Sequence, residues 1–316
     1  MSKSLNSIVN WAAKHYTYVK EIEGFDFMIY KKRIADSVLS RMLEGKGAVL
    51  IEGPKWCGKT TTAEQHASSV LYADDPRRKA QNLAMADLNP EIILRGAKPR
   101  LIDEWQIIPK IWDSIRFSID HSDELGQFIL TGSAVPFETK DITHSGVGRF
   151  AFLTMRTMSL FESGESTGDV SLKELFDGKE NIYGFSNVSL ERLAFITCRG
   201  GWPQAIDMKD EIALDQGKYY YEAVVRSDIN RADNSQKDAD KVRMLMKSYA
   251  RNQGSQASKE VLASDCLPNE EKTVSYLTIS SYLNALSKIF VIEEMTARNP
   301  NLRSKTAIRT SNTRYY

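Results

Sequence analysis

Ala48-Val49-Leu50-Ile51-Glu52-Gly53-Pro54-Lys55-Trp56-Cys57-Gly58-Lys59-Thr60-Thr61 is the stretch whose reading decides the fold. Ala48 to Ile51 is a short apolar run bounded by glycines, which is the pattern of a strand buried on both faces. Gly53 to Thr60 then fits G-x-x-x-x-G-K-[ST] without a mismatch. The glycines let the backbone curl so that consecutive N–H groups point at one phosphate. A helix starting near Lys59 adds its positive N-terminal end. In this arrangement Lys59 reaches the β- and γ-phosphates and the Thr60 hydroxyl ligates Mg²⁺. The candidate binding residues are therefore Gly53, Pro54, Lys55, Trp56, Cys57, Gly58, Lys59, Thr60 and Thr61. A chance glycine turn is the bland alternative, but the strand before and the helix after are the context that the motif demands. Cys57 is either a thiol activated by the helix start or a small filler, and filler is the commoner use of a free cysteine.

Working outward, apolar residues at Ile34, Val38, Leu39, Met42 and Leu43 mark one face of a helix that stops at Gly45 and Gly47. Downstream, short strands are expected at 70–72, 100–103, 127–131 and 150–155. Helices at 76–85 and 110–119 fall between them, the second with its apolar face at Ile111, Trp112, Ile115 and Ile119. Strands alternating with helices imply a parallel sheet covered on both faces.

Three further segments carry candidate chemistry. Arg100-Leu-Ile-Asp103-Glu104 is an apolar strand ending in two carboxylates. Alone, such an end faces solvent or caps the next helix; beside a P-loop, Asp103 suits the Mg²⁺ shell and Glu104 the polarisation of an attacking water. Phe128-Ile-Leu-Thr131-Gly-Ser133 places hydroxyls at another strand end, where Ser133 or Thr131 either senses the γ-phosphate or serves a turn. Gly146-Val-Gly148-Arg149 sets Arg149 on a glycine-flexed segment, open between an arginine finger and a surface arginine.

Residues 163–190, rich in Gly, Ser, Glu and Asp, suggest a boundary or surface excursion. Helices are then expected at 189–197, 212–226, 239–251, 258–263 and 274–288. The order helix, helix, turn, helix, strand from 239 to 294 resembles a winged helix, with Ser275, Thr278, Ser281, Asn284 and Lys288 on its third helix. That face has little positive charge, so packing or protein contact is favoured over reading DNA. Arg199-Gly-Gly-Trp-Pro203 is a sharp turn by composition.

The bulk numbers add exclusions. The chain has 316 residues, 42% hydrophobic and 26% charged, enough for two or three domains. Its 42 basic and 41 acidic residues nearly cancel, so global charge names no nucleic-acid or membrane partner. Three scattered cysteines imply neither a disulfide framework nor zinc, but reduced thiols in a cytoplasmic setting. Residues 1–20 lack the apolar core of a signal peptide, and no run approaches the roughly 20 apolar residues of a membrane span.

Taken together, Val49–Thr62, Leu101-Ile-Asp-Glu-Trp-Gln106, Phe128–Ser133, Gly146–Arg149, Met155-Arg-Thr-Met-Ser-Leu-Phe-Glu162, Arg199–Pro203 and Asn301-Leu-Arg-Ser-Lys305 resemble a known group. It is the AAA-type ATPases of bacteria and archaea that carry a conserved C-terminal domain of unknown function. The resemblance implies that Lys59, Asp103 and Glu104 are the ATP-site residues, and it favours the finger reading of Arg149. ATP over GTP rests on it alone. Family members continue past the position of Tyr316 into a region resembling a restriction endonuclease, so the chain is expected to be truncated there.

The expected architecture is an α/β, parallel-sheet P-loop NTPase domain of AAA-like type at 30–160, behind an N-terminal extension at 1–29. A helical linker or lid at 161–235 and a winged-helix-like module at 236–316 follow. The expected function is an ATP- and Mg²⁺-dependent molecular switch, with Lys59, Glu104, Ser133 and Arg149 as catalytic candidates and Thr60 and Asp103 as metal ligands. An unidentified protein partner is expected, and homo-oligomers if a neighbour supplies Arg149. The rivals are a nucleotide-gated DNA-binding protein with negligible turnover and a P-loop small-molecule kinase, against which Glu104 argues.

Overall fold

Alternation of apolar side chains along five short strands generates the core. In the computed structural model these are β1 (Ala48–Glu52), β2 (Ser69–Tyr72), β3 (Arg100–Asp103), β4 (Phe128–Gly132) and β5 (Phe150–Thr154). The structure describes residues 30–132, 146–232, 235–255, 257–266, 276–295 and 313–315. The strands lie in the order β2-β3-β4-β1-β5, every pair parallel. Successive side chains point to opposite faces. Ala48, Leu50, Ile102, Phe128, Leu130 and Phe150 accordingly enter one core, and Val49, Ile51, Leu101, Ile129 and Leu153 the other.

Helices cover both faces. On the second face lie α1 (Ile34–Gly45), which inserts Leu39, and α2 (Lys59–His66), which inserts Ala63. On the first lie α3 (Lys79–Leu88), α4 (Glu91–Leu94) and α5 (Ile111–Asp120), with Ala86, Ile93, Ile111, Trp112 and Ile115. Trp112 stacks on Phe150 with ring centres 4.1 Å apart, which ties α5 to the edge strand. The helix read at 76–85 begins later, at Lys79, because Asp75 opens a turn: Arg77 N–H donates to the Asp75 carboxylate and Lys79 N–H to the Asp75 carbonyl. The four-residue α4 is too short to leave a periodic signal.

Beyond the sheet the described chain is mostly helical. The elements are α6 (Leu172–Phe176), α7 (Leu190–Arg199), α8 (Pro203–Ile206), α9 (Asp210–Ala223), a π-helical turn (Val224–Asp228) and α10 (Ile229–Arg231). Then come α11 (Ala239–Arg251), α12 (Lys259–Asp265), α13 (Tyr276–Lys288) and an antiparallel ribbon of β6 (Glu293–Met295) with β7 (Thr313–Tyr315). Val224, Val225, Ile229, Leu245, Tyr249, Leu262, Leu283, Leu286 and Ile292 form one core, which therefore reaches back well ahead of residue 236. Among the described residues no helix is long and apolar enough to cross a membrane.

Arg199 anchors the glycine turn that leads into α8. Its guanidinium is buried and forks onto both Glu165 oxygens at 2.7 and 2.9 Å, while Nε donates to the Gly200 carbonyl. Gly201 runs against Met158, whose N–H donates to the Gly201 carbonyl at 2.7 Å; a Cβ on Gly201 would lie 2.2 Å from the Met158 carbonyl oxygen.

Candidate nucleotide site

The C-terminal ends of parallel strands collect on one edge, and the segments that follow β1 and β3 meet the end of β4 there. Gly53 leaves β1 with φ +150°, and a Cβ there would lie 1.9 Å from the Met155 carbonyl oxygen, so no other residue fits. Gly58, at φ +95°, turns the chain into α2. Lys59 is buried, and its ammonium donates to the carbonyls of Gly53 and Pro54 at 3.0 and 2.9 Å. The lysine thus closes the loop on itself.

Strand register builds the acidic side. β3 and β4 pair Asp103 with Thr131, which places both side chains on one face. The buried Asp103 carboxylate accepts from the Thr60 hydroxyl at 2.7 Å and from the Thr131 hydroxyl. Glu104 then takes the left-handed backbone conformation, φ 52° and ψ 45°, uncommon for a residue with a side chain. Its carboxylate accepts from the Gln106 amide. Gly132 admits Gln106 and Trp105 against the end of β4, since a Cβ there would lie 2.5 Å from Gln106 Oε1.

Two walls hold the loop. Arg33, buried ahead of α1, donates to the Cys57 carbonyl at 2.8 Å and the Arg156 carbonyl at 2.8 Å, and pairs with Glu162 at 3.0 Å. Burial alone would raise the Glu162 carboxyl, but N–H groups of Ser159 and Ile34, with Arg33, hold it below the usual carboxylate range. On the other side, Lys55 pairs with Asp228 at 2.6 Å, and Trp56 packs on Tyr220, which packs on Trp202. The Cys57 thiol is fully buried, and burial pushes its pKa up despite the nearby Lys59 and Arg33. A raised, buried thiol is a filler rather than a redox group.

Of the sequence candidates the structure joins Thr60 to Asp103; Lys59 turns to the carbonyls of its own loop and Glu104 to Gln106. Arg149 does not join them. It directly precedes β5, its carbonyl accepts from Ala48 N–H, and its guanidinium pairs with Asp120 at 2.6 Å. The P-loop begins at the far end of β1, about 15 Å away at roughly 3.3 Å per residue. An arginine finger supplied to the P-loop of the same chain is therefore corrected. Ser133 and Ser275 lie outside the described residues, as do residues 1–29 and 296–312. Thr131, the alternative to Ser133 as a phosphate sensor, holds Asp103 instead. Arg33, Gln106, Glu162 and Asp228 were missed, because nothing in local spacing joins Lys55 to a residue 173 positions away.

On α13, Ser280, Ser281, Asn284 and Lys288 line an open groove in which Lys288 is the cation among the lining residues. A larger cleft of about 790 Å³ adjoins the P-loop, lined by Val38, Pro54, Met155, Trp202, Tyr220 and Ile292 among others.

A parallel sheet, a P-loop after the interior strand β1 and a Thr–Asp pair at the strand ends define a P-loop NTPase domain. Residues 45–163 match the family described as AAA domain, and residues 190–316 match a domain of unknown function (DUF8612). Over 144 residues the chain is 28% identical to the uncharacterized protein Rv2008c of Mycobacterium tuberculosis and to the uncharacterized protein Mb2031c of Mycobacterium bovis. The match covers 45% of this chain and 32% of each relative, so it spans about a third of the curated relatives' length. Similar solved structures include the Walker-type ATPase PABY2304 of Pyrococcus abyssi, 16% identical, covering 84% of this chain and 91% of that one at a TM-score of 0.48. AMPPCP-bound DnaA from Aquifex aeolicus is 14% identical, with 83% and 90% covered and a TM-score of 0.36.

Proposed function

We propose that the chain binds ATP with Mg²⁺ at this edge, hydrolyses it, and couples turnover to its helical C-terminal part. The observation that carries the reading is the hydrogen bond from Thr60, next to the loop-enclosed Lys59, to Asp103 at the end of β3. The oxygen pair of Thr60 and Asp103 suits a hard cation, and Mg²⁺ is commonly held by one or two such groups plus substrate phosphates. Among the described residues no group of three or more His, Cys, Asp or Glu could hold a metal alone, which fits an ion that arrives with the nucleotide. Bound there, Mg²⁺ would neutralise phosphate charge.

The roles of the chain's own residues follow. Lys59 leaves the carbonyls of Gly53 and Pro54 for the phosphates. Thr131 keeps the Asp103 carboxylate aimed at Thr60. Glu104 accepts a proton from the attacking water, and Gln106 orients it. The apolar cleft beside Pro54 and Tyr220 takes the base. Arg149, exposed at the opposite edge, serves a neighbouring copy's site, which makes an oligomer the active form. The core of α11, α12 and α13, followed by a ribbon, supports a winged-helix-like module, but two lysines at the α13 groove, Lys288 and the Lys259 that reaches Ser280, are few phosphate contacts for a DNA partner.

The test is steady-state ATP hydrolysis with nucleotide binding measured in parallel. Lys59→Ala is expected to lose binding and Glu104→Gln to bind without turnover. A wild-type chain that binds no nucleotide would overturn the reading.

A further inference from the structure

Lys55 and Trp56 stand at two of the four positions of the P-loop where the motif specifies no side chain. Their contacts leave the sheet altogether. Lys55 Nζ lies 2.6 Å from Asp228 Oδ1, and Trp56 joins Tyr220 and Trp202 in an aromatic row. The lysine side chain is 38% exposed and the aspartate 8%. A carboxylate so enclosed is costly to leave without a cation, so the contact is held more firmly than a surface pair.

The backbone explains how Asp228 comes to be there. It closes the π-helical turn Val224–Asp228 between α9 and α10. A π turn inserts a residue into the helix and re-aims the side chains around it. Val224, Val225 and Ile229 enter the helical core, while Asp228 reaches out of it to the P-loop. The neighbouring Ser227 hydroxyl lies 3.4 Å from the same carboxylate oxygen.

The loop is therefore tied twice. From inside, Lys59 holds the carbonyls of Gly53 and Pro54. From outside, Asp228 holds Lys55 and neutralises it. Resting on the ATP reading above, we propose that Lys55 and Asp228 form a latch on the phosphate site, in which a bound triphosphate competes with Asp228 for Lys55. Two effects then act in one direction. Removing the Asp228 charge frees a cation for the phosphates, and it releases the loop from its closed form. Linkage makes the coupling mutual: phosphate binding loosens the tie to the helical segment as much as the tie opposes phosphate binding. Asp228 is a positioning residue in this scheme and touches no reacting atom.

The experiment is equilibrium binding of ATP, with adenosine as the phosphate-free control. It uses the full chain as wild type, Asp228→Asn, Lys55→Met and the double variant. Asp228→Asn is expected to bind ATP at least about fivefold more tightly, the lower end of typical coupling between sites. Adenosine affinity is expected to be unchanged, and the gain to vanish in the Lys55→Met background. Asp228→Glu, which keeps the charge, should stay near wild type. If Asp228→Asn fails to fold, Asp228→Ser carries the same comparison. Equal ATP affinity in wild type and Asp228→Asn, a matching gain for adenosine, or a gain that survives Lys55→Met overturns the latch and leaves the ATP site standing. No ATP binding by the wild-type chain overturns the ATP reading and the latch with it.

Discussion

The two edges of the central sheet are made by the same five strands, yet they hold their polar groups in opposite ways. At the edge where the strands end, Lys59, Asp103 and Thr131 are buried: Asp103 accepts from Thr60 and Thr131, and Lys59 holds carbonyls of its own loop. At the edge where the strands begin, Arg149 pairs with Asp120 and Lys46 reaches the Gly148 carbonyl in the open. Lys98 there lies over the Phe128 ring, 3.3 Å from its centre, and burial pushes its pKa down to about 8. The contrast teaches where chemistry concentrates in a parallel sheet. Loops after the strands converge on one side, and a site can draw on several of them at once.

The largest expected effects lie at the first edge. Lys59→Ala should weaken ATP binding by roughly a hundredfold or more, since a charged, enclosed contact is lost. Glu104→Gln should keep binding and lose about 10²–10⁴ in turnover, the range for a general base. A comparable loss of binding from Arg149→Ala in dilute protein would break the comparison between the edges.

The next effect in size concerns the acidic flank of the helical segment, which belongs to neither edge. Hydrogen bonds from Arg199 hold Glu165 far below its ordinary value of 4.5, at about 2. A carboxyl depressed in the folded state stabilises the fold above its unfolded pKa and loses that contribution as pH falls through the folded one. Thermal stability should therefore decline between about pH 4.5 and pH 2, the two values just given. Arg199→Met should destabilise the chain by about 3–5 kcal/mol at neutral pH, as for breaking a buried pair, and flatten this acid limb. A Tm profile of unchanged slope would show that the acid limb arises elsewhere.

Thr131→Val should cost about 1–3 kcal/mol in denaturant unfolding, because Asp103 loses one of its two hydroxyl donors. It should also reduce ATP affinity with Mg²⁺ present more than with the metal chelated. Equal losses in both conditions would make Thr131 a packing residue only. The smallest effect on ATP binding is expected for Arg149→Ala: unchanged affinity, with a loss of turnover that shows at concentrations at which chains associate. Turnover that falls equally at all concentrations would remove the neighbour-supplied finger.

How far these features could be read in advance varied with their range along the chain. Helix α1 and the ends of β1 and β3 follow from local periodicity and glycine placement, and the structure puts them within a residue or two of expectation. Asp103 and Glu104 were legible because they directly follow an apolar strand. The start of α3 was not, since Pro76 lies in a turn organised by Asp75. Arg149 misled within its own chain, because a glycine-flexed arginine reads alike at either end of a strand. Thr131 was legible as a hydroxyl at a strand end, but register alone set it beside Asp103.

From its sequence alone this chain determined that it has a P-loop on a parallel sheet, with Lys59 and Thr60 in the loop and Asp103 and Glu104 at the end of a neighbouring apolar strand. The physical reason is locality: strand, turn and helix start lie within a dozen residues, and their chemistry is written in adjacent positions. Only the tertiary structure decided that Thr131 holds Asp103, that Arg33 and Asp228 grip the loop from two sides, and that Arg149 stands at the other edge. Those pairings depend on strand order, register and one extra residue in a helical turn. They join residues up to 173 positions apart, for which no short pattern can stand.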